Sequence, residues 1–123
     1  MLDASALAAL LFGEPGSDVV QAALSNASIN AVNLAEVLIV LGRRGIEHRV
    51  AERIVGGLPI DVTPTDSLLV AEIARIGAET RAQGLSLGDC ICLATGRATG
   101  RRVLTADRAW AALDLGIQMT VVR

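Results

Sequence analysis

R-V-L-T-A-D-R-A-W-A-A-L, residues 102–113, contains the unit that decides the fold. Its first part, from Arg102 to Thr105, is typical of a short β-strand, and a polar turn that carries Asp107 follows at once. A helix-like pattern then continues as far as Leu113. The unit therefore predicts a strand, a turn with an acidic residue, and a helix.

Three other acidic residues lie where a short apolar run meets a polar turn. They are Asp3 in M-L-D-A-S, Glu36 in N-L-A-E-V and Asp89 in L-S-L-G-D-C. We predict helices over 4–12, 17–24, 33–44, 46–55, 66–82, 87–99 and 107–113, and strands over 28–31, 60–62, 102–105 and 117–122, with residues 1–3 ending a first strand. Residues 63–65 are predicted to cap the long helix at 66–82. Strands separated by helices indicate parallel β-α units and therefore an α/β fold with a covered sheet.

The acidic residues allow a purely structural interpretation. Asn33 and Glu36 have the spacing of a capping box, Ser86 and Asp89 resemble one, and Asp3 precedes a helix that it could cap. Capping does not exclude a second role, because a helix N-terminus holds a carboxylate rigidly. Both interpretations stay open for each residue taken alone.

Composition limits the class of protein. The 123 residues suit a single domain over 1–123, and 52% hydrophobic residues suit a globular core. No apolar run reaches the roughly 20 residues that span a bilayer, and the N-terminus has no basic leader, so we expect a cytoplasmic protein without a membrane partner. All eleven cationic residues are arginines, and the net charge of −2 argues against a non-specific nucleic-acid binder. The arginine clusters are either phosphate contacts or solvated helix faces.

Several kinds of catalytic site are disfavoured. Cys90 and Cys92 are two residues apart on a predicted helix and do not face each other, so we expect free, buried thiols. They and the single histidine, His48, are too few for a zinc site, and no motif supports a nucleophile paired with His48. The chain has no lysine and therefore no phosphate-binding G-x-x-x-x-G-K loop.

Four carboxylates that converge at the carboxyl ends of parallel strands would repel one another, which raises pKa values or recruits a cation. Oxygen ligands alone suit a hard cation such as Mg²⁺ or Mn²⁺. Ser5 and Thr105 accompany Asp3 and Asp107, and each either orients a carboxylate or caps the backbone. The pattern favours metal-dependent phosphoryl transfer.

At this point the sequence resembles a known family, the PIN-domain ribonucleases, and most closely the VapC-type toxins of bacterial type II toxin–antitoxin systems. The resemblance is carried by L-D-A-S-A-L, V-N-L-A-E-V-L, G-L-S-L-G-D-C-I-C-L-A and V-L-T-A-D-R-A-W, with E-P-G after the first helix. These motifs occur in the family's order from end to end of the chain. The resemblance implies a three-layer α/β/α sandwich with a mostly parallel central sheet.

The resemblance also implies a function. It makes Asp3, Glu36, Asp89 and Asp107 the catalytic acidic pocket, with Asp3, Asp89 and Asp107 as ligands of Mg²⁺ or Mn²⁺ and with Ser5 and Thr105 in support. The expected substrate is RNA, such as tRNA or rRNA, and the expected partners are a cognate antitoxin and a second copy of the chain in a homodimer. Arg101 and Arg108 are candidates for the RNA backbone, although no spacing argument secures them.

Two alternative functions remain for a chain with these residues. A housekeeping PIN-domain RNA-processing nuclease would have the same site, and a non-catalytic PIN-like interaction module would keep the acids for stability alone.

Only Met1 and Leu2 precede Asp3, so we expect either a start upstream of Met1 or a very short first strand. The helix at 34–41 is apolar nearly all round, which favours burial against another helix or another chain.

Overall fold

The computed structural model describes all residues, 1–123. The helices are α1 (Ala4–Phe12), α2 (Ser17–Ala23), α3 (Ala31–Arg43), α4 (His48–Gly56), α5 (Val70–Glu79) and α6 (Leu87–Thr99). The strands are β1 (Ser28–Asn30), β2 (Asp61–Thr63), β3 (Val103–Thr105) and β4 (Met119–Val121). Short 3₁₀ helices cover Leu24–Asn26, Ser67–Leu69, Arg81–Gln83 and Arg108–Ala112.

The sheet is parallel and is joined at its centre by a single residue. Strand β1 pairs with β2, and β3 pairs with β4, both in parallel. Leu2 forms parallel bridges to Ile29 of β1 and to Leu104 of β3, so the order across the sheet is β2, β1, Leu2, β3, β4. The predicted first strand is therefore a single bridging residue, and Asp3 leaves the sheet directly after it.

Helices cover both faces of the sheet, and successive strand residues point to opposite faces. Leu2 and Leu104 lie in the apolar core beneath α1, α2, α3 and α4. Their neighbours Met1 and Val103 lie in a second core, with Ile76 of α5, several residues of α6, and the fully buried Trp110. The predicted α/β class, with three layers and a parallel sheet, is thus confirmed.

Capping residues explain the two helices whose predicted limits agree with the structure at both ends. Helix α1 begins after Asp3, whose side chain accepts the Ala6 N–H, and ends at Gly13 with φ 63°. Helix α6 begins with the predicted Ser86/Asp89 capping box and ends at Gly100. Gly13 and Gly100 both adopt the left-handed conformation that favours glycine at a helix end.

The predicted start of α3 was wrong. The helix begins at Ala31, and its N-cap is Asn30, whose Oδ1 accepts the Val32 N–H. Asn33 therefore lies inside the first turns of the helix, not in a capping box with Glu36. Two asparagines three residues apart both suit an N-cap, and the local sequence does not rank them.

The prediction of one continuous helix at 66–82 was also wrong. It consists of the 3₁₀ helix Ser67–Leu69, then α5, then the 3₁₀ helix Arg81–Gln83. Its cap is Asp66, which accepts the Leu68 N–H, and residues 63–65 lie in and after β2. The predicted helix at 107–113 is a 3₁₀ helix, with Asp107 as its N-cap.

Other predictions concern burial. Cys90 and Cys92 are free and buried, as predicted. Burial raises the pKa of the Cys92 thiol well above its ordinary value, and the charge of Asp3 adds to that shift, so this thiol stays protonated. No helix is both long and apolar enough to cross a bilayer.

The apolar helix α3 is only partly covered by its neighbours. Val37 and Leu41 are buried in the core, whereas Ile39 is 53% exposed. Leu34 and Leu38 are half-buried along an apolar groove that is also lined by Val55, Leu58, Ile60 and Val62. The structure contains one chain, so the homodimer stays a prediction.

Candidate active site

One cavity of about 580 Å³ brings the four predicted acids together. Asp3 enters it from the start of α1, Glu36 from α3, Asp89 from the first turn of α6, and Asp107 from the turn after β3. Asp3 and Asp107 directly follow the central bridge and β3, at the carboxyl edge of the sheet where α/β folds bind ligands. The remaining lining residues are Ala4, Ser5, Ala8, Glu14, Ile39, Val40, Arg43 and Arg123.

Asp3 forms the buried floor of the cavity and is held by a dense set of donors. Its Oδ1 accepts the Ala6 N–H at 2.7 Å, and its Oδ2 accepts the Thr105 hydroxyl at 2.8 Å. The Ser5 hydroxyl lies 2.9 Å from Oδ1 and 2.8 Å from Oδ2. These contacts fix the carboxylate in one orientation.

Ser5 and Thr105 also tie Asp3 to the turn that carries Asp107. The Thr105 Oγ1 accepts the Asp107 N–H at 3.0 Å, and the Ser5 Oγ accepts the Ala106 N–H at 2.9 Å. Both hydroxyls lie beside Asp3, although the sequence associated Thr105 with Asp107. They cap backbone groups and orient a carboxylate at the same time.

The pKa of Asp3 is raised from 3.8 to about 6. The main cause is burial, which disfavours the charged carboxylate. The hydrogen bonds from Ala6, Ser5 and Thr105 oppose the shift, and the charge of Asp89 adds to it. The site thus holds a carboxylate whose charge is not fully compensated by the protein.

Glu36 is held against the first turn of α6. Its Oε2 accepts the Asn33 Nδ2 amide at 3.1 Å, and the same amide group donates to the Gly88 carbonyl oxygen at 3.0 Å. A Cβ added to Gly88 would lie within 2.7 Å of the Glu36 carboxyl carbon. Gly88 is thus the residue that lets Glu36 approach the start of α6.

Asp89 and Asp107 each cap a helix with one oxygen. Asp89 Oδ2 accepts the Ser86 N–H at 2.8 Å, and Asp107 Oδ1 accepts the Ala109 N–H at 2.9 Å. Their other oxygens accept no hydrogen bond from the protein. Each of these two side chains therefore caps a helix with one oxygen and exposes its other oxygen to the cavity.

The donor set fits a hard divalent cation, although the side chains do not already form a metal site. No group of three or more His, Cys, Asp or Glu side chains is close enough together to hold an ion as the side chains stand. Asp89, Asp107 and Glu36 nevertheless each have one carboxylate oxygen without a protein partner, and all face the same cavity as Asp3. Uncompensated oxygen ligands of this kind suit Mg²⁺ or Mn²⁺.

Two arginines line the acidic cavity. They are Arg43 on α3, which is exposed, and Arg123. The Arg123 guanidinium donates to the Ala106 carbonyl oxygen at 2.8 Å and to Glu14 Oε2 at 2.9 Å. Glu14 also pairs with Arg44 at 3.6 Å.

The two arginines named from the sequence lie in different places. Arg108 lines a second cavity that shares Ser5, Asp107 and Arg123 with the first. Arg101 donates to the Asn26 carbonyl oxygen and to Ser28 Oγ at the start of β1, on the opposite edge of the sheet. The structure therefore does not bring Arg101 to the acidic cavity.

The sequence interpretation did not assign Asn33, Gly88, Arg43 or Arg123 to the site. The helical spacing of Glu36 and Arg43, seven residues apart, placed both on one face of α3 and was an available signal. The contacts of Asn33 with Gly88 and of Arg123 with Glu14 join residues far apart in sequence. No local pattern indicates them.

Comparisons with known proteins agree with this architecture. The sequence profile described as "PIN domain" matches residues 1–115. Sixteen chains of solved structures match significantly. One of them, from a structure described as "Toxin-antitoxin complex from Klebsiella pneumoniae", superposes with a TM-score of 0.70 at 17% identity, over 99% of this chain and 96% of that chain. At that identity the likeness shows the fold alone, and the search of curated proteins gives no significant match.

Proposed function

The chain belongs to the PIN-domain family, whose members are generally nucleases, and from this premise we propose that it is a metal-dependent endoribonuclease of the VapC toxin type. The observation that carries the proposal is the convergence of Asp3, Glu36, Asp89 and Asp107 in one cavity. These side chains come from four separate parts of the sequence. Their mutual repulsion has no structural benefit in the absence of a cation.

The proposed ligands are Asp3, Asp89 and Asp107, with Mg²⁺ or Mn²⁺ as the ion. The chemistry supplied by a bound cation is polarisation of the scissile phosphate and a lower pKa for the attacking water. Ser5 and Thr105 hold the Asp3 carboxylate in place through their hydroxyls. Glu36, with its Oε1 free, either joins the ligands or orients the water.

Arginines at the rim are proposed to hold the RNA backbone. Arg43 makes no ion pair or hydrogen bond with the protein and lines the acidic cavity, so its guanidinium is available to a phosphate. Arg108 lines the adjoining cavity. Arg101 lies on the opposite edge of the sheet, away from the acidic cavity.

Two partners are proposed beyond the RNA. A cognate antitoxin is supported by the fold shared with a chain of a toxin–antitoxin complex. A homodimer is supported by the incompletely covered apolar surface of α3, where Ile39 is 53% exposed. The single PIN domain over 1–123 and a cytoplasmic location belong to the same proposal.

The test is cleavage of a defined tRNA and total-RNA pool by purified protein in Mg²⁺, in Mn²⁺ and in EDTA. We expect cleavage in either metal, none in EDTA, and a loss of at least about 100-fold in Asp3→Asn and in Asp89→Asn, because each removes a charged ligand. Asp61→Asn is the matched control, since Asp61 is an exposed acid at the start of β2.

Cleavage that persists in EDTA, or that survives both substitutions, would contradict the site assignment. If folded protein free of antitoxin binds Mn²⁺ in calorimetry yet cuts no RNA, the interaction-module alternative gains. If cleavage is confirmed without any effect on bacterial growth, a housekeeping RNA-processing nuclease becomes the better description.

A further inference from the structure

We propose that Asn33 is a positioning residue, which acts by fixing the orientation of the Glu36 carboxylate against the first turn of α6. The inference rests on the proposed nuclease function, because it concerns the same site. Asn33 does not line the cavity itself. Its effect on the reaction must therefore pass through Glu36.

The contacts of Asn33 join three parts of the molecule with one amide group. Its Nδ2 donates to Glu36 Oε2 at 3.1 Å and to the Gly88 carbonyl oxygen at 3.0 Å. Both partners are acceptors, so the amide cannot be turned around without losing both bonds. The bond leaves Glu36 Oε1 as the oxygen without a protein partner.

Asn33 is buried, unlike residues that form ordinary surface hydrogen bonds. Asn33 is 1% exposed, and its Oδ1 is buried without any hydrogen-bond partner. A buried, unpaired carbonyl oxygen destabilises a fold, so an apolar side chain of similar size would join α3 to α6 at least as well. An amide at this position is explained by the carboxylate that it holds.

Two other roles for Asn33 are excluded by the structure. It does not cap α3, because Asn30 is the N-cap. It does not satisfy an otherwise unpaired N–H group, since its two contacts are made by its own amide hydrogens. Gly88 shows separately that Glu36 packs closely against α6, because an added Cβ would lie within 2.7 Å of the Glu36 carboxyl carbon.

The test is a double-mutant cycle between positions 33 and 36, measured by steady-state cleavage of a defined RNA. Asn33→Leu and Asn33→Asp keep the size of the side chain but remove the donor. We expect either to lower kcat by about 10- to 100-fold with KM within about twofold, which is the usual range for a residue that orients a catalytic group. In a Glu36→Gln background the same substitutions should have no further effect.

Thermal unfolding in EDTA supplies a readout that does not depend on activity. Asn33→Leu should unfold at the same temperature as the wild type or higher, because an unpaired polar atom is removed. Asn30→Ala is the matched control: it loses the cap of α3, should lower the melting temperature, and should reduce cleavage by the same factor with or without Glu36.

The outcomes separate the two proposals. If the wild type cuts nothing, or if Asp3→Asn and Asp89→Asn both cut as fast as the wild type, the proposed function fails. If Glu36→Gln cuts as fast as the wild type, Glu36 has no role in the reaction and the positioning role of Asn33 fails with it. If Glu36→Gln is inactive while both Asn33 variants keep the wild-type kcat, only the positioning role fails. Additive effects at positions 33 and 36, or a lowered melting temperature in both Asn33 variants, would also overturn it and make Asn33 a structural residue.

Discussion

Asp3 combines three tasks that are usually given to different residues. It caps α1, it accepts the hydroxyls of Ser5 and Thr105, and it forms the floor of the acidic cavity at 4% exposure. A carboxylate that is only a cap does not need burial, and burial is what raises its pKa. The capping interpretation therefore explains its hydrogen bonds but not its depth.

The raised pKa predicts an unusual pH dependence of stability in the metal-free protein. The folded protein binds a proton at Asp3 with a pKa of about 6, against 3.8 as the ordinary value. Protonated Asp3 is thus favoured by folding, and its contribution to the free energy of unfolding falls as the pH rises from about 4 through 6. The difference between about 6 and 3.8 corresponds to about 3 kcal/mol, which is lost by about pH 7.5. Asn at position 3 cannot ionise, so the stability of Asp3→Asn relative to the wild type in EDTA should rise as the pH rises from about 4 to 7.5.

The measurement is urea unfolding of the wild type and Asp3→Asn in EDTA across this pH range, with the difference between the two proteins taken at each pH. Titrating groups that do not interact with Asp3 cancel in that difference. Asp61→Asn, on an exposed acid, should leave the wild-type profile unchanged. A difference that is flat with pH would show that Asp3 is not destabilised by its charge. Saturating Mg²⁺ should stabilise the wild type more than the variant.

At the scale of elements, the contact between α3 and α6 depends on Gly88. A methyl group there would displace the end of the Glu36 side chain, which is flexible, and would leave the backbone in place. We therefore expect Gly88→Ala to lower the cleavage rate by at least about 10-fold, since a displaced orienting group has that cost. The melting temperature should change little, because alanine also favours the helix by up to about 1 kcal/mol.

Gly42→Ala is the control for this substitution, because Gly42 also lies in a helix, α3, but has no atom within 4 Å of an added Cβ. It should keep full activity and raise the stability slightly. Equal cleavage by Gly88→Ala and the wild type would contradict the packing of Glu36 described above. A large loss of stability in Gly88→Ala would indicate that α6 itself, rather than Glu36, had moved.

The elements that could be predicted from the sequence are those with local signals at both ends. Asp3 and Gly13 bound α1, and Ser86, Asp89 and Gly100 bound α6, so their limits follow from capping alone. The positions of Asp3 and Asp107 near strand ends also placed these two acids at one edge of the sheet. These patterns are local in the sequence, and the fold brings the residues that form them into one cavity.

The remaining features depend on contacts across the fold. The local sequence did not distinguish Asn30 from Asn33 as the cap of α3, because both residues suit that position and both are buried in the fold. The bond from Asn33 to Gly88 spans 55 residues. The places of Arg43 and Arg101 differ for the same reason: tertiary structure puts one at the acidic cavity and the other at the far edge.

At the scale of the whole molecule, the four acids of the cavity come from residues 3 to 107, which is most of the length of the chain. If the proposed nuclease is a toxin, it should cut cellular RNA whenever no antitoxin restrains it. We therefore predict that induced expression in a bacterium without the cognate antitoxin arrests growth. Asp89→Asn, expressed to the same level, should not arrest growth, because it lacks a charged ligand of the metal.

Growth curves of the induced cultures, with protein levels checked by immunoblot, decide between the toxin and the housekeeping nuclease. Arrest by both the wild type and Asp89→Asn would be a burden of expression and would not support a toxin. Normal growth with a protein that cleaves RNA in vitro would favour a processing enzyme with a narrow substrate. Arrest by the wild type alone, with relief when the product of an adjacent antitoxin-like reading frame is co-expressed, would support the toxin function. It would also show that the toxin function depends on the acidic cavity, because Asp89→Asn differs from the wild type only in the charge of a single side chain.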